Sequence, residues 1–489
     1  LLRFYVRFKD RVSVINSTLS QGEKYDQWER AKKGEIDVMI GPRSALFTPF
    51  PHLGAIIIDE EHENTYKSES MPKYHARETA EKIAAMHDAV VVLGSATPSL
   101  EAYYRAKNGE YRMYELTQRR PGGMLPSVYT VDLREELKQG NRSIFSRKLH
   151  ELLEGRLERK EQSILFLNRR GYAGFISCRS CGHVMKCPHC DISLSEHMGG
   201  KLVCHYCGYE QPGVKNCPEC GSKYILGFRA GTQQIEEVIH KEFPGAKVLR
   251  MDADSTRTKD SYEEILNAFA NGEADILLGT QMIVKGHDFP NVTLVGILAA
   301  DLSLHVNDYR AGERTFQLLT QAAGRAGRGE RAGEVVIQTY DPDHYSIIHA
   351  ARQDYKGFYE EEIMYREMLM YPPAAHMLAI LIASPDKEDG NRLACQIGSL
   401  LKEKELPLAG MAGCQKGSGK EGLYVIGPAA ASIGKIQDIY RYMVYVKHKD
   451  YEELIAVKNT IEAFLEERAE SKKAGKEIVQ FDFDPVCAY

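Results

Sequence analysis

Apolar and polar positions divide this chain into short buried runs that alternate with amphipathic stretches. Residues 12–16, 36–41 and Ile56-Ile57-Ile58 read as strands, as does Ala89-Val90-Val91-Val92-Leu93. Positions 21–33 and 74–87 between them carry apolar residues at helical spacing. Runs this short and this β-branched suit strands covered on both faces, so residues 1–117 are expected to form a doubly wound parallel sheet. Gln118-Arg119-Arg120-Pro121-Gly122-Gly123 is a breaker cluster and reads as a hinge. A second α/β lobe follows. Its first expected strand, 164–167, leads into a cysteine block, and the lobe resumes at Gly231-Thr232-Gln233. Strands at 247–251, 275–279, 293–298 and 334–339 and helices at 261–270 and 317–326 complete it. Beyond about residue 346 the pattern changes. Helices run to 369 ahead of Tyr371-Pro372-Pro373, and strands at 377–383, 440–447 and 478–484 alternate with helices ending near 405 and 469.

The expected fold is therefore α/β with two lobes of parallel sheet and flanking helices, a metal-binding insertion in the second lobe, and a C-terminal α+β domain. Its boundaries are 1–117 for the first lobe, 118–177 for a linker and the start of the second, 178–220 for the insertion, 221–345 for the rest of the second lobe, and 346–489 for the C-terminal domain.

Composition narrows the class. With 489 residues, 43% hydrophobic and 27% charged, the chain is long enough for several full cores. A net charge of −5 means that nucleic-acid binding must come from local patches. No apolar run approaches the roughly 20 residues of a membrane span and no secretory signal opens the chain, so no membrane partner and a cytoplasmic location are expected. The chain begins Leu1-Leu2 inside what reads as a helix, the pattern of a fragment that lacks its N-terminus.

The chemistry concentrates in a few places. Asp59-Glu60-Glu61-His62 emerges from the carboxyl end of a buried strand, where open α/β sheets hold ligands. There Asp59 suits Mg²⁺ and Glu60 an attacking water, although a strand ending in solvated acids gives the same letters. Ser95-Ala96-Thr97 follows the next buried strand and can hydrogen-bond the acids, or simply cap a helix. In Gln321-Ala322-Ala323-Gly324-Arg325-Ala326-Gly327-Arg328, two arginines three apart are placed on one helical face, as a γ-phosphate requires. Gly279-Thr280-Gln281 and Lys285-Gly286-His287 are polar loops at a strand end, suited to phosphates. Tyr66-Lys67 and Lys73-Tyr74-His75-Ala76-Arg77 interleave rings with cations and can stack single-stranded bases; a surface loop capping the following helix is the plain alternative. Gly417-Ser418-Gly419-Lys420 imitates a phosphate-binding loop, but Cys414 and Glu421 occupy the positions that need Gly and Ser or Thr.

Eight of the 11 cysteines fall between Cys178 and Cys220, in four Cys-x-x-Cys pairs: Cys178/Cys181, Cys187/Cys190, Cys204/Cys207 and Cys217/Cys220. Eight thiolates furnish two closed, structural Zn²⁺ sites, a better fit to four clustered pairs than redox chemistry. The pairs can combine in three ways, and spacing does not choose. His183, His189 and His205 are spare donors, and balanced charge across the block argues against an electrostatic DNA clamp.

Segments 59–62, 94–97, 279–281 and 321–328, in that order, resemble motifs of superfamily 2 helicases, and Arg43-Ser44-Ala45-Leu46-Phe47 resembles their intervening DNA-contact motif. Phe166-Leu167-Asn168-Arg169-Arg170-Gly171-Tyr172 followed by eight paired cysteines, with Tyr74-His75-Ala76-Arg77 and the closing Asp482-Phe483-Asp484-Pro485, resembles the PriA family of primosomal replication-restart helicases over nearly the whole chain. The resemblance implies two RecA-like lobes and an ATP-driven 3′→5′ DNA helicase acting at stalled or branched forks. It implies ATP with Mg²⁺ as cofactor, forked and single-stranded DNA as partners, and contacts with other primosome proteins and a single-stranded-DNA-binding protein. Carried over, Asp59, Glu60, Gln321, Arg325 and Arg328 are catalytic. Glu61, His62, Ser95, Thr97, Gly279, Thr280 and Gln281 couple ATP to motion. Arg43, Ser44, Tyr66, Lys67, Tyr74, His75, Arg77, Arg169, Arg170 and Lys285 meet DNA. The zinc pairs are implied to be nested: Cys178, Cys181, Cys217 and Cys220 in one site, Cys187, Cys190, Cys204 and Cys207 in the other. The family's phosphate-binding loop would lie ahead of Leu1, so this polypeptide alone is expected to hydrolyse ATP poorly. The competing expectation is a non-catalytic, zinc-containing DNA- or primosome-binding remnant.

Overall fold

The computed structural model describes residues 2–16, 19–116, 125–167, 176–188, 193–196, 201–204, 207–226, 231–252, 255–256, 261–280, 283, 289–306, 308–327, 331–402, 422–470 and 476–486. The chain forms two compact units, residues 1–111 and 112–489. The hinge expected at 118–123 and the loop at 417–420 lie outside the described residues.

In the first unit the strands do not join into the one sheet expected. β1 (Val12–Val14) pairs in parallel with β2 (Val38–Ile40), and β3 (Ala55–Asp59) pairs in parallel with β4 (Val90–Gly94), as two separate sheets. The helix Ala76–His87 covers one face of β3 and β4, packing Ala76 and Ala80 against Ile58. On the other face Ile57 is 73% and Val90 62% exposed. Strands this apolar are the signature of a sheet covered on both sides. The described residues supply one of those layers.

The second unit holds a six-stranded, all-parallel sheet. Its strands are β5 (Ser127–Asp132), β6 (Gln162–Leu167), β7 (Val248–Met251), β8 (Ile276–Gly279), β9 (Val292–Leu298) and β10 (Glu334–Thr339), in the order β7-β8-β6-β9-β10-β5. β6, β8 and β9 are buried along their whole length, which is why their sequences read as unbroken apolar runs. The first strand of this lobe is β5, not the run at 164–167. It sits at an edge beside β10, and its mixed sequence Ser-Val-Tyr-Thr-Val-Asp gave no apolar run to find. The helix Arg147–Arg159 that follows packs Leu149, Leu152 and Leu153 into the sheet's core beside Ile235 and Ile239.

A four-stranded antiparallel sheet forms the C-terminal part: β11 (His376–Ser384), β12 (Tyr424–Ile436), β13 (Ile439–His448) and β14 (Ile478–Phe483), ordered β12-β13-β11-β14. Alternation along β11 sends Leu378, Ile380 and Ile382 to the helices Lys387–Lys402 and Tyr451–Glu470. It sends Met377, Ala379 and Leu381 to the opposite face, where they meet the cysteine-rich module. The long strand β12 was not expected. Its Gly427-Pro428-Ala429-Ala430-Ala431 stretch has poor strand propensity, but β12 lies at a sheet edge, where a proline costs no ladder bond, and the register shifts there. Among the described residues no helix is long and apolar enough to cross a membrane.

One buried ion cluster ties the parallel sheet's last long helix to the helix and turn that lead into β11. Arg366, fully buried on the helix Tyr355–Met368, donates to Glu362 at 2.7 Å, to Glu313 at 3.2 Å and to the Pro372 carbonyl at 2.7 Å. Glu313 lies on the helix Ala311–Ala323. Arg366→Met, which strands two carboxylates, is expected to cost about 3–5 kcal/mol in denaturant unfolding. Adding Glu313→Gln and Glu362→Gln should recover part of that loss, and an unchanged midpoint in Arg366→Met would remove the cluster from the structure's supports.

Candidate functional site

The acidic motif divides its four residues between surface and interior. Asp59 ends β3 and is exposed, with its Oδ1 accepting the Glu60 N–H at 3.1 Å. Glu60 is also exposed and has φ +47°, a left-handed backbone that a non-glycine residue holds at a cost and that turns its carboxylate away from the strand line. Glu61 points inward. It accepts the Ser99 N–H at 2.6 Å, the Ser99 hydroxyl at 2.9 Å and Arg77 Nη1 at 3.2 Å. The His62 ring is buried, and its Nδ1 lies 2.6 Å from Ser95 Oγ. Ser95 Oγ also accepts the Thr97 N–H at 3.0 Å. The acid-bearing turn and the Ser95-Ala96-Thr97 turn are thus bonded to each other through one imidazole.

A second set of bonds leads away from Asp59. The Tyr66 hydroxyl donates to the Asp59 carbonyl at 2.7 Å, and burial followed by the nearby Asp59 and Glu63 carboxylates raises its pKa, so that it remains a donor. Arg43 Nη1 donates to the carbonyls of Thr65 at 2.7 Å and Lys67 at 2.6 Å, clamping the turn that carries Tyr66. Ser44 is exposed, and Tyr74 packs edge-on against Phe47. His75 caps the helix Ala76–His87 by accepting the Arg77 N–H, and it lies 3.0 Å from Glu78. Two expected DNA contacts need correction. Arg77 is buried with its guanidinium on Glu61, Ser99 and Glu78, and Lys67 is buried as well. Neither side chain lies at the surface where a phosphate would pass. Arg77 instead locks Glu61 in place.

In the second unit Gly279 closes β8 so tightly that a β-carbon would strike the Met251 carbonyl, and the Thr280 N–H donates to the same oxygen at 3.3 Å. Gln321 sits in the last turn of the helix Ala311–Ala323. That helix ends at Ala323, so Arg325 stands in the turn beyond it and not on the helix expected over 317–326. Two glycines within four residues, Gly324 and Gly327, stop the helix early, and Gly327 takes φ +70° while its N–H bonds the Val292 carbonyl at 3.1 Å. Arg169, Arg170, Gln281, Lys285, Arg328 and Cys190 lie outside the described residues.

The cysteine sulfurs gather in two clusters. Cys178, Cys181, Cys217 and Cys220 form one, and Cys187, Cys204 and Cys207 form the other, with all ligand atoms of each within 4.8 Å of one another. Sγ–Sγ separations of 3.6 Å for Cys178–Cys220 and Cys181–Cys217, and 3.5 Å for Cys187–Cys207, approach the tetrahedral edge of about 3.8 Å that zinc–sulfur bonds of about 2.3 Å impose. The nested arrangement is the one observed.

Comparison with known proteins agrees with this geometry. Residues 367–486 match the "Primosomal protein N C-terminal domain" model, 187–212 the "PriA DNA helicase Cys-rich region (CRR) domain" and 221–330 the "Helicase conserved C-terminal domain". The replication restart protein PriA of Bacillus subtilis is 47% identical over 99% of this chain and 58% of its own length. That of Treponema pallidum is 36% identical over 99% of this chain and 70% of its own length. The chain belongs to the PriA family. It spans little more than half the length of the Bacillus subtilis and Synechocystis PriA proteins, 58% and 54%. A solved structure of RecG bound to a three-way DNA junction aligns with 76% of this chain and 37% of its own, at 17% identity and a TM-score of 0.37.

The zinc-binding module of this PriA family member shows a signal that spacing alone missed. In three of the four pairs the second cysteine is followed by glycine: Gly182, Gly208 and Gly221. Each has φ between +70° and +82°, and each donates its N–H to the carbonyl of the first cysteine, at 2.8, 2.9 and 2.9 Å. A turn that reverses so tightly requires the left-handed backbone that glycine adopts freely. It aims main-chain N–H groups at the sulfurs, and although burial opposes a Cys178 thiolate, N–H donors from Cys181 and Ser180 outweigh it and bring the thiol down to about 7. The module is wedged inside its unit. Arg134 donates to the Cys181 carbonyl at 3.2 Å, Gly182 sits flush against the Tyr340 carbonyl, and Gly208 packs near Ala429 of β12.

Metal analysis of the reduced protein should give about two zinc ions per chain. Chelation should lower the melting temperature and strip amide-exchange protection from β11 and β13 as well as from the module, because Met377, Leu381, Met443 and Tyr445 pack on the cysteines. Zinc near zero in reduced material, or loss of protection confined to the module, would contradict this arrangement.

Proposed function

We propose that this chain is the motor and zinc-bearing part of an ATP-dependent DNA helicase that translocates 3′→5′ and acts in replication restart at stalled or branched forks. The observation that carries the reading is the bonded route through the acidic turn. Arg43 clamps the 65–67 turn, Tyr66 of that turn holds the Asp59 carbonyl, and His62 joins the same acids to Ser95. A group placed at Arg43 is therefore two bonds from the carboxylates that would serve a nucleotide. In this reading Asp59 holds Mg²⁺ and Glu60 activates water, while Gln321, Arg325 and Arg328 meet the γ-phosphate. Glu61, His62 and Ser95 transmit the nucleotide state, with Thr97 and Gly279-Thr280-Gln281. Single-stranded DNA meets Arg43, Ser44, Tyr66, Tyr74 and His75, together with Arg169, Arg170 and Lys285. The PriA relatives support a replication-restart role; this reading assigns to it forked DNA, primosome proteins and a single-stranded-DNA-binding protein as partners, in the cytoplasm. Because the chain contains no phosphate-binding loop, turnover is assigned to a form that carries one.

In a protein that joins this chain to such a loop, Glu60→Gln should lower DNA-stimulated ATP turnover roughly 100-fold or more while leaving DNA affinity unchanged. The 489-residue chain alone should bind DNA with little turnover. Normal turnover in Glu60→Gln would remove the role given to that carboxylate. Absence of turnover in the loop-bearing wild-type protein would favour a non-catalytic DNA- or primosome-binding protein.

A further inference from the structure

The first unit presents aromatic rings to solvent that none of the assignments above uses. Trp28, the chain's single tryptophan, lies on the helix Gln21–Lys32 and is 39% exposed. Its indole N–H donates to the Phe47 carbonyl at 3.0 Å. Phe47, the last residue of the turn Arg43–Phe47, is 51% exposed and meets Tyr74 edge to face with centroids 5.3 Å apart. Tyr25, three residues before Trp28 on the same helical face, is 60% exposed.

Arg43 stands beside this row, its guanidinium carbon 6.0 Å from the Tyr74 centroid. Its Nη1 is spent on the Thr65 and Lys67 carbonyls, whereas Nε and Nη2 meet no protein acceptor among the described residues. The nearby Glu78 carboxylate is already engaged by His75 and Arg77, which with other hydrogen bonds outweigh burial and hold it well below the usual range.

Exposed rings that merely lacked a core would not be held by a main-chain hydrogen bond and an edge-to-face contact. These are fixed, and they border a cation with one edge open. That pairing of π faces with a fork of N–H donors fits a strand of unpaired bases and its phosphates. A purely apolar protein surface would leave the open guanidinium edge unmatched. We propose that Trp28 and Phe47 stack bases of single-stranded DNA while the open edge of Arg43 pairs the adjoining phosphate. The proposal rests on the DNA-binding reading above and extends it to a helix that no motif marks.

The lone tryptophan supplies its own reporter. The zinc-loaded 489-residue chain is titrated with fluorescently labelled oligothymidylate, and Trp28 emission and label anisotropy are followed together. Quenching of Trp28 with the same midpoint as the anisotropy rise is expected, with less quenching by a duplex, whose bases are stacked away. Read by anisotropy, Trp28→Ala and Phe47→Ala should each weaken binding roughly 5- to 150-fold. Trp28→Phe, which keeps a ring, should retain most of the affinity. Phe47→Ala keeps the main-chain acceptor of the indole, so it tests stacking without removing that bond. An anisotropy rise with unchanged emission and unchanged affinity in both alanine variants overturns the inference and leaves DNA binding standing. No anisotropy rise at any concentration overturns the DNA-binding reading itself, and the inference with it.

Discussion

The structure of the larger unit turns on a sheet that must be covered twice. Met377, Ala379 and Leu381 alternate along β11 with Leu378, Ile380 and Ile382, and both sets are buried. Two helices cover one side. The other is covered by a module of about forty residues, close to the size below which a metal or disulfide is normally required. Gathering seven described cysteine sulfurs into two clusters gives that module its rigidity, and its rigidity gives the sheet a second wall. The module's cysteines and Met377, Leu381, Met443 and Tyr445 share one core, which ties the packing of the module to that of the C-terminal sheet. That places the module's importance in architecture as much as in any contact it makes.

A similar division of labour governs the acidic turn. Four consecutive polar residues look equivalent in sequence, yet Glu61 and His62 are buried and bonded while Asp59 and Glu60 face solvent. Burying Glu61 is tolerable because Arg77 and the Ser99 N–H and hydroxyl saturate it; an ion left without such partners would cost several kcal/mol. The pinned pair in turn fixes the backbone that presents the two exposed carboxylates, including the left-handed Glu60.

Long apolar runs and their order were legible in the sequence, and β10 and the helix Ser261–Ala270 were placed to the residue. The misses share a cause. β5 and β12 lie at sheet edges, where one neighbour suffices and the sequence can stay polar or carry Gly427-Pro428, so the pattern that betrays a central strand is absent. Among candidate site residues, type and spacing located the cysteines that the structure gathers into two clusters, because metal chemistry restricts the ligands. They misplaced Arg77 and Lys67, because a cation beside an aromatic reads the same whether it faces a phosphate or a buried carboxylate. The bond from Trp28 to Phe47 was hidden for a converse reason: its partners stand 19 positions apart, and no local pattern encodes it.

The turn bearing Arg325 shows how the remaining elements act together. The helix Ala311–Ala323 is gripped near its start, where Glu313 meets Arg366 and Gly312 lies flush against the Tyr345 hydroxyl and Glu362. The turn beyond its end is gripped as well, because the Gly327 N–H bonds Val292 at the head of β9 and its backbone packs against Gly333 ahead of β10. With both ends held by elements of the same sheet and domain, the turn has little freedom to drift. The role proposed for Arg325 calls for this, since electrostatic stabilisation of a transferring phosphate depends on donors set in place beforehand. A helix that continued through Arg325 would carry that residue around its own axis at every added position. Stopping it at Ala323 instead sets Arg325 in a short turn that the Gly327 N–H ties directly to the parallel strands.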